Sequence, residues 1–142
     1  MYLIAFPLLL IPFALYNMII FLLNMPFSDT VFSIPLIEGR RLPVTTGDLL
    51  VMLAMLLLYV EVVKAVRPGG KSLWDHVLSF ILFVAMAAEL MLVPRAMSST
   101  LLLLAVLGFV DFIAGISIRL AQPKIVFERP APAPAHQASD HL

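Results

Sequence analysis

Six polar side chains sit inside long apolar runs of this chain: Asn17, Glu61, Lys64, His76, Glu89 and Asp111. An ionisable group within a membrane-spanning helix costs at least about 2.5–3.5 kcal/mol at mid-depth, so such groups are the natural place to look for function. Two chemistries fit their types and spacing. Glu61, Asp111 and Glu89 lie at successive depths and would serve a proton or cation relay. Glu61, Lys64, Asp75, His76 and Arg119 gather toward one face of the membrane. They would serve equally as an interfacial network tying helix ends together, with Lys64 reaching to headgroups along its aliphatic stem. Contact with another subunit is a third use. Glu61 and Lys64 are three apart on one helix and can pair.

Other chemistry finds little support. The chain has no cysteine, which excludes a disulfide, a thiolate nucleophile, a zinc–Cys site and an iron–sulfur cluster. His76 is the sole histidine within a span, and no HExxH pattern occurs, so no metal site is expected. His136 and His141 fall in a polar tail and read as solvated. Ser98 and Ser99 have no neighbouring base. There is no P-loop and no GxGxxG. The methionines at 18, 52, 55, 86, 91 and 97 suit packing or lipid contact rather than haem ligation. No cofactor and no enzymatic activity are expected.

The elements that carry these residues follow from composition. Of 142 residues, 62% are apolar and 13% charged, against about 45–50% and 25% in a soluble domain. The net charge is zero with nine basic residues, which argues against nucleic-acid binding. A spanning helix needs roughly 20 apolar residues. Four segments qualify, at about 2–23, 47–66, 73–93 and 99–120. Their apolar residues run unbroken, whereas barrel strands alternate. The expected fold is therefore an all-α four-transmembrane-helix bundle over 1–122. The first segment lacks an N-terminal Lys or Arg and a small-x-small cleavage site, so it reads as an uncleaved span. Pro7 and Pro12 should kink or weaken its first turns, or a short interfacial piece precedes a span that starts at Pro12.

Lys64, Arg67, Lys71, Arg119, Lys124 and Arg129 fall on one side of such a bundle, and Arg40, Arg41 and Arg95 on the other. The positive-inside rule then places both termini in the cytoplasm. The longest connection, from Met25 to Thr46, contains two extended stretches around Glu38-Gly39 and predicts a short outer β-hairpin. Pro35 and Pro43 give it poor edges. It is a cap over the bundle mouth or a docking edge for a partner, with Glu38, Arg40 and Arg41 as contact candidates. Thr46 or Asp48 should cap the second span and Ser72 the third. Trp74 fits a headgroup-level anchor. Residues 94–100 should form a short turn and another cap. The segment after Pro123 alternates Pro and Ala and should form an extended, disordered tail over 123–142.

Helical spacing sorts the intramembrane residues further. Gly108, Asp111 and Gly115 share one stripe, where small residues permit close helix approach. The stripe should face the bundle or a partner helix. Asp75, Ser79, Leu82, Met86 and Glu89 form a stripe on the third span. A lone carboxylate at mid-depth needs a donor, and an Asn17–Asp111 hydrogen bond is the favoured one, with Tyr59 and Ser79 as other candidates.

The block from Asp75-His76-Val77 through Ala88-Glu89-Leu90-Met91-Leu92-Val93-Pro94, with Val110-Asp111-Phe112-Ile113-Ala114-Gly115, resembles a family of small uncharacterised four-span proteins of proteobacterial inner membranes. That resemblance implies a location in the bacterial inner (cytoplasmic) membrane and no particular activity. Small multidrug exporters are of similar size, but they carry their essential Glu in the first span, which here has no carboxylate. The expectation is a structural or accessory component of a homo- or hetero-oligomeric membrane complex. A small proton-coupled or cation transporter is the alternative.

Overall fold

The computed structural model describes residues 6–67 and 73–121. Three helices are long and apolar enough to cross a membrane: α2 (Thr46–Val66), α3 (Leu73–Leu92) and α4 (Ser99–Ala121). Their bounds fall within a residue of those read from the apolar runs. The first apolar segment differs from the expected span over 2–23. Among the described residues it is helical over Leu10–Leu23, as α1 (Leu10–Asn17) running on into a wider π-helical stretch, Met18–Leu23.

Backbone chemistry accounts for the shorter helix. The carbonyls of Pro7 and Leu8 accept from the N–H groups of Leu10 and Ile11, forming a turn that leads into α1. Pro12 is the third helical residue, where the N–H it lacks would have had no partner within the helix, so it is tolerated there. At the other end Asn24 adopts the left-handed conformation, φ 53°, which asparagine enters more readily than most residues. The N–H groups of Asn24 and Met25 both meet the carbonyl of Ile19.

Between α1 and α2 the chain forms an antiparallel hairpin, β1 (Thr30–Pro35) and β2 (Arg41–Thr45). Its reversal uses Glu38 and Gly39 at φ 66° and 74°, closed by Leu36 N–H donating to the Arg40 carbonyl at 2.8 Å. The register opposes Phe32 to Val44 and Ile34 to Leu42, and Ser33 to Pro43 and Pro35 to Arg41. Since strand side chains alternate, one face is apolar and the other polar or proline-bearing. Val44 is buried where β2 enters the bundle, while Phe32, Ile34 and Leu42 are exposed.

α2 begins with a reciprocal capping box. Thr45, rather than Thr46 or Asp48, is the cap. Its Oγ1 accepts from Asp48 N–H at 3.2 Å, and Asp48 Oδ2 accepts from Thr45 N–H at 2.9 Å. A short turn at Pro94–Ala96 leads to α4, where Ser98 Oγ accepts from Leu101 N–H at 3.1 Å. The expected cap at Ser72 and the Pro/Ala tail lie outside the described residues.

α4 packs between α2 and α3. Phe80 meets Phe112, and Phe83 meets Phe109, with ring centroids 5.1 and 5.5 Å apart. α1 lies chiefly against α2 and covers it from the level of Glu61 to the hairpin end. Only 22% of the α2 window, 28% of α3 and 33% of α4 is buried. The remaining surface is dominated by exposed Leu, Val, Ile, Phe and Met. In water an amphipathic helix would turn polar side chains outward there; these helices suit a lipid surround.

Candidate functional site

The α4 stripe of Gly108, Asp111 and Gly115 is buried, as the 100° spacing requires. Its neighbour is α3 of the same chain. A Cβ on Gly115 would lie 2.9 Å from two ring atoms of His76, and one on Gly108 would lie 2.5 Å from the Met86 terminal methyl. These glycines thus bring α3 and α4 together within the bundle. Asp111 is one helical turn from Gly115 on the same face and is 2% exposed.

The facing side of α3 buries Asp75, His76, Ser79, Leu82 and Met86. Asp75, Ser79, Leu82 and Met86 are the stripe read from spacing; His76 joins it, Glu89 is only half-buried, and His76 contacting Gly115 sets its level along α4. Ser79 Oγ is buried without a hydrogen-bond partner among the described residues. α2 contributes Glu61, 2% exposed, whose Oε2 accepts from the backbone N–H of Leu8 at 3.0 Å. Glu61 therefore holds the chain just ahead of α1, a role for which side-chain spacing gives no signal. Lys64 is half-buried in the last turn of α2.

Asn17 is the main departure from the expected pairing. Its Nδ2 donates to Glu89 Oε2 at 3.2 Å and to the Phe13 carbonyl at 3.1 Å, rather than to Asp111. Tyr59, the other donor considered for Asp111, faces outward at 69% exposure. So of the three relay carboxylates, Glu61 serves a backbone N–H, Glu89 serves Asn17, and Asp111 lies with Gly115 and His76. Among the described residues no group of three or more His, Asp and Glu is placed to hold a metal ion. At the hairpin turn Arg40 pairs with Glu38 at 3.2 Å in full solvent, and Arg41 stands opposite Pro35.

Sequence reasoning missed a buried tie between elements. Tyr16, fully buried, donates its hydroxyl to the Ala96 carbonyl at 2.6 Å and lies 2.7 Å from Ser98 Oγ. Its ring stacks on Phe27 with centroids 4.6 Å apart and planes 1° from parallel. A tyrosine within an apolar run, whose hydroxyl must find a partner when buried, was the available signal.

A cavity of about 730 Å³ opens at the hairpin end, between the end of α1 and the starts of α2 and α4. Gly47 and Thr100 are its buried floor, so close that a Cβ on Gly47 would lie 2.5 Å from Thr100 Oγ1 and 3.3 Å from the Phe27 carbonyl. Arg95 lines it from one side, its Nη2 bonded to Asn24 Oδ1 and its guanidinium 5.9 Å above the Phe21 ring. Asp48 lines it from α2.

No protein-family model, no curated protein and no solved structure matches this chain.

Proposed function

We propose that this chain is a small non-enzymatic integral membrane protein, an accessory component of a homo- or hetero-oligomeric membrane complex. In this reading the bundle sits in the bacterial inner membrane as four spans, α1 included, with both termini cytoplasmic and the hairpin outside. The observation that carries the reading is the two-faced hairpin. Phe32, Ile34 and Leu42 form one exposed apolar face, and Leu36 and Ile37 extend it at the turn. The opposite face presents Ser33, Arg41 and two prolines. An isolated two-stranded hairpin is marginal in water, and contiguous exposed apolar surface marks an interaction site. A partner subunit covering the apolar face would leave the polar face wet.

The test is purification of the full chain from its native membrane in mild detergent, with intact mass and stoichiometry recorded. A defined oligomer, either with itself or with another subunit, is expected. It should be lost in Ile34→Asp while the helical circular dichroism is kept. A monomer, or an oligomer indifferent to Ile34→Asp, overturns the reading.

A transporter is the second reading, favoured by the buried Asp111 of α4. It is weakened by the structural bonds of Glu61 and Glu89. Proton-coupled flux in liposomes that disappears in Asp111→Asn would promote it over the accessory role.

A further inference from the structure

We propose that the cavity at the hairpin end binds a zwitterionic phosphoethanolamine group, with Arg95 on the phosphate and Asp48 on the ammonium. Independently of any partner subunit, the inference rests on the cavity and on the reading of the helices as membrane spans. The volume, about 730 Å³, lies within the ~300–1,000 Å³ usual for small-ligand sites. Its position is set by the ends of three apolar helices, Leu23, Thr46 and Ser99, the depth at which apolar helix gives way to headgroups.

The walls carry one cation and one anion. Arg95 is held in place by Asn24 and Phe21, and a guanidinium has five donors in a fixed fork that suits phosphate oxygens. One bond to Asn24 leaves donors for a ligand. Asp48 places a single oxygen, Oδ2, on both the N–H and the hydroxyl of Thr45. This anchors the carboxylate while its outward side stays exposed. A lone phosphate would meet Asp48 as a like charge, and an anionic lipid likewise. A headgroup carrying both charges satisfies each wall. Ser99 and Thr100, in the first turn of α4, also line the cavity, and their backbone N–H groups have no carbonyl within the helix to bond. Ile20, Val51 and Leu103 line the inward side and offer apolar surface to the first carbons of an acyl chain. A primary ammonium donates hydrogen bonds to Asp48, which a quaternary one cannot do. The site therefore selects phosphatidylethanolamine over both phosphatidylglycerol and phosphatidylcholine.

The experiment is native mass spectrometry of the full chain in detergent, titrated separately with these three lipids and with soluble phosphoethanolamine as competitor. Phosphatidylethanolamine should bind most tightly and lose roughly tenfold in affinity in Arg95→Gln and in Asp48→Asn, the scale of one charge-assisted hydrogen bond. Asp48→Asn keeps an oxygen for the cap, and thermal unfolding of each variant checks that the fold survives. If Arg95→Gln does not fold, Asp48→Asn and the wild-type competition decide. Displacement by soluble phosphoethanolamine assigns the site to the headgroup alone, including a free solute as its source. Failure to displace assigns it to the membrane lipid with its chains. Equal binding of the three lipids, or phosphatidylethanolamine binding unchanged in the folded variants, overturns the proposal.

Discussion

The two ends of the bundle are fastened by different means. At the hairpin end the buried ties are made by neutral and backbone groups: Tyr16 on Ala96 and Ser98, Phe27 stacked on Tyr16, and Gly47 N–H on the Phe27 carbonyl, with the charged Arg95 and Asp48 at the exposed rim. Toward the far end the buried polar groups are titratable: Glu61, Asp75, His76 and Asp111. Neutral pairs keep their bonds at any pH in the working range and cost little to bury. Titratable groups hold a structure only when each charge or proton is matched. The difference teaches that neutral and titratable groups are buried at opposite ends of one small bundle.

The largest effect should come from the hairpin end. Tyr16→Ala removes a fully buried ring, its stack and its hydroxyl, and should cost about 3–5 kcal/mol, read as a lowered midpoint of reversible unfolding in mixed micelles. Next comes the far end. Glu61→Leu strands the Leu8 N–H and should cost about 1–3 kcal/mol, whereas Glu61→Gln keeps an acceptor and should unfold close to the wild-type midpoint. If the two Glu61 variants behave alike, the carboxyl is not holding α1, and the contrast between ends weakens.

The glycines sharpen the same comparison at smaller scale. Gly47→Ala presses on Thr100 Oγ1 and on a backbone carbonyl, and should cost about 1–3 kcal/mol. Gly108→Ala presses only on the mobile tip of Met86, while alanine gains about 1 kcal/mol of helix propensity. Its unfolding midpoint should stay near wild type or rise. A midpoint lowered as far as that of Gly47→Ala would mean that α3 and α4 are as tightly fixed as the hairpin end.

How much of this was legible beforehand depended on whether the signal was periodic. The bounds of α2, α3 and α4 follow from unbroken apolar runs, and the buried faces of α3 and α4 from 100° spacing. The hairpin turn followed from Glu38-Gly39, where only one residue is glycine yet both adopt positive φ. Axial offset between helices leaves no periodic trace. Tyr16 reaching Ala96 and Ser98 fixes the height of α1, and that height puts Asn17 beside Glu89 instead of Asp111. The Leu8–Glu61 bond was hidden because its donor is backbone. The cap of α2 was readable: Thr45-x-x-Asp48 has capping-box spacing with aspartate as the acid, but two adjacent threonines obscured which one begins the helix.

α4 lies between α2 and α3, yet it is the latest of the three to be synthesised. Synthesis runs from the N-terminus, so α2 and α3 are complete before the helix that joins them exists. Until then the buried face of α3, with His76, lacks the Gly115 surface of α4 that it packs against. A chain ending before Ser99 has both long helices but none of the surface that joins them. Gly108 and Gly115 then let α4 approach α3 closely, against Met86 and His76. Assembly is thus completed by the element that ends up at the centre.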